Sequence, residues 1–222
     1  MGIINSKSKG GNMLPLADED SGRKFTPSVT IVVIIINVIV FLIELSQGES
    51  FIRQWAFVPA RFLESPGANV VTLFTSMFMH GGWMHLIGNM LYLWIFGDNI
   101  ESHFGHIWFI GFYLISGVAA TFSQLMISMN SDVPLLGASG AIAGVLGAYL
   151  LLFPKHKVRV LMGRRVIQTP ALIVIGFWFL LQVFSSFLSF TETSGSGGVA
   201  YLAHVGGFVA GLLLALLFRD KG

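Results

Sequence analysis

The sequence predicts an all-α polytopic membrane protein, a bundle of six transmembrane helices with both termini in the cytosol. Three observations carry that expectation. Of the 222 residues, 54% are hydrophobic and 11% charged, and the mean hydropathy is +0.76, whereas a soluble domain carries about a quarter charged residues. Six apolar runs of roughly 16 to 22 residues follow one another, each near the length that crosses a bilayer. Lysine and arginine gather on one side of the topology those runs define. There is no cysteine, so disulfides and thiol chemistry are excluded and a zinc site loses its commonest ligand.

Residues 1–27 are polar and glycine-rich, with Lys7, Lys9, Arg23 and Lys24 but no long apolar core. They read as a mostly mobile cytosolic tail rather than a signal peptide. Met1-Gly2-Ile3-Ile4-Asn5-Ser6 fits a myristoylation pattern formally, and chance accounts for so short a match. The domain proper is expected over 28–218, with spans near 28–46, 82–100, 106–127, 138–153, 170–190 and 199–218 and a cytosolic tail at 219–222. Eleven of the 13 cations fall on one face: four in the N-terminal tail, five in the 154–169 loop, and Arg219 and Lys221 at the end. Only Arg53 and Arg61 lie opposite. This obeys the positive-inside rule, so the pI near 9.0 reports topology rather than nucleic-acid binding.

The 47–81 connection is long for a bundle. Its Phe51-Ile52-Arg53-Gln54-Trp55-Ala56-Phe57-Val58-Pro59-Ala60-Arg61-Phe62 stretch interleaves aromatics with arginines, which suits a segment lying in the outer interface. An extramembrane loop packed on the helix ends is the alternative.

The chain is organised around 135–150, LLGASGAIAGVLGAYL. Gly140, Gly144 and Gly147 leave one side of this run nearly bare, which in lipid lets a second helix approach closely. The expected partner is the last run, where Gly206, Gly207 and Gly211 repeat the spacing beside His204. Heights along the spans agree. His204 stands fifteen residues above Arg219 and Ser139 fifteen above Pro154, roughly 22 Å each at 1.5 Å per residue. His85 stands sixteen above Glu101, about 24 Å, with Asn89 one turn lower on the same face. In a hydrocarbon layer about 30 Å thick, Ser139, His204, His85 and Asn89 meet at one level below the outer surface. Ionisable groups inside a bilayer normally face a partner or a wet cavity, and a hydroxyl with an imidazole suggests a nucleophile and its base.

Other polar residues read as structural. His80 holds the 47–81 loop, and His103, His106 and His156 are solvated at the cytosolic edge. Glu44 and Glu101 serve as interfacial hydrogen-bonding groups, and Asn37, Ser116 and Gln124 as interhelical contacts.

The segments His80-Gly81-Gly82-Trp83-Met84-His85-Leu86-Ile87-Gly88-Asn89, Gly137-Ala138-Ser139-Gly140 and Ala203-His204-Val205-Gly206-Gly207, with Trp55-Ala56-Phe57-Val58-Pro59 and the Gly97, Glu101, Gly105 set, carry a resemblance. In order and placement the chain resembles the rhomboid family of intramembrane serine proteases over roughly residues 13–218, in its compact six-span bacterial form. Residues 1–12 look like an addition. The resemblance implies that Ser139 is the nucleophile and His204 its general base, a dyad without a carboxylate. It implies an oxyanion hole of Asn89, His85 and the Ser139 backbone N–H, with His80, Gly137 and Gly140 in support. It also implies lateral substrate access between spans two and five, with 191–198 as a lid. Phe177, Trp178, Phe179 and Phe184 then form a bulky gate or simply face lipid. One position departs: some members carry an aromatic one turn after the serine, stacked on the histidine, where this chain has Ala143. The orientation of His204 must come from elsewhere.

The implied function is an intramembrane serine endopeptidase that cleaves single-span membrane proteins in or near their transmembrane segments. It needs no cofactor, metal or nucleic acid and sits in a bacterial inner membrane with its site open to the extracytoplasmic side. A catalytically silent relative that binds membrane helices for trafficking or quality control is the rival. A metal carrier built on His80, His85 and His204 has too few carboxylates and no thiols.

Overall fold

The computed structural model describes residues 13–19, 25–189 and 200–221. Four helices among them are long and apolar enough to cross a membrane: α1 (Ser28–Gln47), α7 (His106–Leu125), α9 (Ala171–Ser189) and α10 (Tyr201–Ala215, continued by a 3-10 turn Leu216–Lys221). α6 (Trp83–Phe104) and the shorter apolar α8 (Ser139–Leu152) complete the bundle. These six helices begin and end within a few residues of the six expected spans. Short helices fill the long connection: α2 (Glu49–Trp55), α3 (Pro59–Glu64), α4 (Pro66–Asn69) and α5 (Thr72–Thr75). The apolar residues left exposed on α1 and α9, among them Val32, Ile39, Leu42, Leu172, Leu180 and Phe187, suit a lipid environment, and the chain is a membrane protein.

α8 lies at the centre. Every residue from Gly140 to Tyr149 is buried, with α6, α7, α9 and α10 packed around it. Its closest neighbour is α10, and the small residues are the reason. A Cβ on Gly207 would overlap the Gly140 carbonyl oxygen, one on Gly211 the Gly144 carbonyl, and one on Gly147 the Phe208 carbonyl. On the α7 side, Gly144 packs on Ser116 and Gly140 on Ala120. With no solvent to drive apolar association in lipid, such close van der Waals contact is what binds the pair.

The carboxylates near the helix ends are buried acceptors. Glu101 takes the N–H groups of Val29 and Thr30 at 2.9 and 2.7 Å, capping the first turn of α1, whose N–H groups have no intrahelical partner. The His106 Nδ1 lies 2.5 Å from the same carboxylate. Glu44 accepts the His80 backbone N–H at 3.0 Å. The expected solvation of the edge histidines is corrected for His103 and His156. His103 donates to the Phe218 carbonyl at 2.9 Å, and His103, His106 and His156 are all half-buried. The His103 and His156 rings pack against Phe153, whereas His106, beside Phe25, keeps 43% of its side chain exposed. Asn37 bonds back to its own helix, donating to the Val33 carbonyl at 2.7 Å, and its side chain also faces that of Tyr113 on α7, an interhelical contact.

The all-α expectation also needs correcting. The 154–169 loop is a β-hairpin, β2 (Lys157–Met162) and β3 (Arg165–Pro170), with Met162 paired to Arg165 across Gly163-Arg164. Lys157-Val158-Arg159-Val160 alternates cation and β-branched residue, Val158 and Val160 are fully buried, and Gly163 supplies the positive φ of 64° that a two-residue turn requires. A third antiparallel strand, β1 (Met13–Asp18), comes from the segment read as a mobile tail and pairs with β2. Asp18 anchors it: Asn99 Nδ2 and the Tyr149 hydroxyl both donate to its Oδ2, at 2.5 and 2.7 Å. Residues 1–12 and 20–24 of that segment lie outside the described residues.

The α8–α10 contact generates a prediction. Gly211→Val should lower stability by about 1–3 kcal/mol, read as a lower unfolding midpoint of the purified protein in micelles. Gly111→Ala, where nothing lies within 4 Å of the added carbon, should be neutral or stabilising by about 0.5–1 kcal/mol.

Candidate active site

Ser139 is the first residue of α8, and His204 sits one turn into α10. The glycine contacts just below them hold the two helix ends together. Ser139 Oγ and His204 Nε2 are 2.8 Å apart, a hydrogen bond within the usual range. As the opening residue of a helix, Ser139 has an N–H with no carbonyl inside the helix to bond, and the positive end of the helix dipole lies there.

The turn before Ser139 is built by the long connection. Phe57 and Leu135 exchange backbone hydrogen bonds of 3.2 and 2.7 Å, and the Gly137 N–H donates to the Ser76 carbonyl at 2.9 Å. Ala56 and Phe57 are fully buried, so this part of the connection packs on the rest of the protein. Arg61 braces it from outside, donating to the carbonyls of Ala56, at 2.6 Å, and Arg53. Gly137 adopts φ 130°, a conformation that side chains rarely take. The His85 ring lies over it, and an added Cβ would come within 2.7 Å of His85 Cε1.

α6 supplies the remaining groups. Asn89 is buried, and its Nδ2 donates to His80 Nε2 at 2.9 Å. Burial first, and the neighbouring His85 second, lower the His80 imidazole to about 4. The ring is therefore neutral near pH 7 and its Nε2 can accept. The His80 and His85 rings meet edge to face at 5.1 Å. One chain of contacts thus runs from Glu44 through the His80 backbone to its ring and on to Asn89. A cavity of about 50 Å³ is lined by Ser139 itself with Ser76, Gly117, Ala120, Gly137 and Ala203, among others.

Ser139 and His204 meet directly, and His85 lies over the turn that leads into Ser139, as the common depth required. Asn89 is tied to His80. On α9 Gln182 was missed, and Trp178 was expected only as a gate or lipid-facing residue. Gln182 Oε1 lies 2.7 Å from His204 Nδ1, and the Trp178 ring centroid lies 5.9 Å from that of His204, inclined at 34°. The signal available was an amide in a strongly apolar run, one helical turn after a tryptophan. The set read as gate or lipid-facing divides: Phe177 and Phe184 point outward, while Trp178 turns to His204 and Phe179 stacks on Phe208 at 4.1 Å. The expected lid, 191–198, lies outside the described residues. Among those residues no cluster of His, Cys, Asp or Glu has the arrangement of a metal site.

A helical membrane protein with a hydroxyl and an imidazole hydrogen-bonded inside its bundle is the class that fold and site define. Comparison with known proteins gives the family. The Rhomboid domain matches residues 67–221, and the chain belongs to the rhomboid family. It is 30% identical over 183 residues to "Rhomboid protein 1, mitochondrial" of Saccharomyces cerevisiae, covering 80% of this chain and 49% of that one. It is 42% identical over 79 residues to "RHOMBOID-like protein 6, mitochondrial" of Arabidopsis thaliana, covering 35% and 25%. It is 32% identical over 146 residues to "Rhomboid-like protease 5" of Toxoplasma gondii, covering 62% and 15%. The chain spans half the length of these curated relatives or less. All three are eukaryotic, so they lend no support to the expected bacterial type.

A prediction follows from the turn. Gly137→Ala should destabilise by about 1–3 kcal/mol through its backbone conformation and the His85 contact, measured by thermal unfolding. Gly88→Ala, with open space at the added carbon, should leave the midpoint unchanged or raise it slightly.

Proposed function

We propose that this protein is an intramembrane serine endopeptidase that hydrolyses a peptide bond in or near the transmembrane segment of single-span membrane proteins. The observation that carries the reading is the 2.8 Å contact of Ser139 Oγ with His204 Nε2. Membership of the rhomboid family supports it, as does the relative named as a protease. In this reading α1, α6, α7, α8, α9 and α10 all cross the bilayer and both termini are cytosolic. The site opens to the extracytoplasmic side of what the sequence resemblance suggests is a bacterial inner membrane.

The chemistry follows from the groups present. His204 Nε2 takes the Ser139 proton as Oγ attacks the scissile carbonyl, and the C–O bond forms as the carbonyl π bond becomes an oxyanion. The Ser139 N–H, Asn89 and His85 are the donors assigned to that oxygen. Asn89 would turn part of its amide from His80 toward it. The imidazolium then gives its proton to the leaving nitrogen as the C–N bond breaks, leaving an acyl ester on Ser139. Water, deprotonated by His204, hydrolyses that ester. A substrate must unwind locally to present its carbonyl, since a helical amide is bonded to its own turn.

Ser139→Ala and His204→Ala should each abolish cleavage of a reconstituted single-span substrate while the protein accumulates folded in membranes. Retained turnover by purified Ser139→Ala would end the protease reading. Asn89→Ala should slow turnover by about 10²–10³-fold, with unchanged kinetics removing it from the oxyanion hole. Failure of the wild type to react with a fluorophosphonate would instead favour the silent, helix-binding relative.

A further inference from the structure

The far nitrogen of His204 is held from α9, by a residue to which the proposed chemistry gives no part. His204 is gripped at both ring nitrogens: Nδ1 faces Gln182 Oε1 at 2.7 Å and Nε2 faces Ser139 Oγ at 2.8 Å. An amide oxygen only accepts, so the nitrogen facing it carries the proton. That leaves a lone pair on Nε2, pointed at the Ser139 hydroxyl, which is the tautomer a general base needs. With the amide reversed, its NH₂ would donate to Nδ1, the ring proton would move to Nε2, and the base would be blocked.

Position agrees with chemistry. Trp178 lies one turn before Gln182 on the same face of α9, and its ring leans on His204. On α8 the position one turn after Ser139 is Ala143, whose methyl group is too small to stack on a ring. The titratable groups around His204 are His85 on α6 and Ser139 on α8, and α8, α9 and α10 contain no Asp or Glu. An amide delivers the acceptor without the cost of a charge in an apolar span.

We propose that Gln182 is the positioning residue of the Ser139–His204 pair, fixing the tautomer and orientation of the imidazole from α9 where a soluble serine protease uses a carboxylate. Trp178 supplies the aromatic contact that Ala143 does not. The proposal rests on the proteolytic reading above.

The test uses the full chain reconstituted in phosphatidylcholine vesicles with a dye-labelled single-span peptide as substrate. Gln182→Leu keeps the apolar helix and removes the acceptor, and Gln182→Glu keeps the acceptor. The Leu variant should lose about 10–100-fold in kcat, the range for losing the partner that orients a functional histidine, with KM unchanged. Its rate of fluorophosphonate labelling should fall in parallel, and the Glu variant should recover most of the loss. Wild-type kcat in the Leu variant would overturn the proposal, as would a loss that Glu does not relieve and that tracks a lower unfolding midpoint. In either case an active, labelled wild type leaves the protease reading standing. A wild type that neither cleaves nor labels sinks that reading itself.

Discussion

Two helices in this protein touch through their backbones. Gly207 rests on the Gly140 carbonyl and Gly211 on that of Gly144, with no side chain between them. Ser139 immediately precedes the first of these rungs, and His204 stands one turn above Gly207. The hydrogen bond joining them is therefore the last step of a ladder that begins deep in the bundle. A slip of one residue along either helix shifts the ends by about 1.5 Å, enough to break a 2.8 Å contact. The glycines set the register, and the register sets the chemistry.

Around that ladder, polar groups are held by partners in other segments. Inside a membrane protein an unsatisfied backbone group is costly, and this chain answers with buried carboxylates. Glu101 caps α1 from a different helix, and Glu44 receives the backbone of His80, whose ring then receives Asn89. The connection between α1 and α6 does similar work for the turn ahead of Ser139, pairing Phe57 with Leu135. These contacts are distant in sequence but local in depth.

Depth is also why so much was legible beforehand. Apolar runs gave the helices because a bilayer demands length, and counting residues from the cationic edge put Ser139, His204 and His85 at one height. Small residues named the α8–α10 pair because only they permit backbone contact. What escaped was whatever length and height do not encode. Gln182 shares a helix with residues that point to lipid, and rotation about the helix axis, not depth, turns it to His204. The hairpin was hidden by reading its cations as topological markers alone, although Val158 and Val160 alternate with them. β1 was unreadable for a different reason: its partner lies some 140 residues later, and six residues of modest hydropathy announce nothing until that partner is present.

That last pairing bears on how the molecule is made. During synthesis β1 emerges ahead of every helix described, yet the strand it joins follows α8. Helices α1 to α8 all lie between β1 and the strand it joins, and Asp18 must wait for Tyr149 and Asn99. Closure of the sheet therefore depends on α6 and α8 having brought Asn99 and Tyr149 together, so a strand near the start of the described residues is anchored by groups 81 and 131 residues further on.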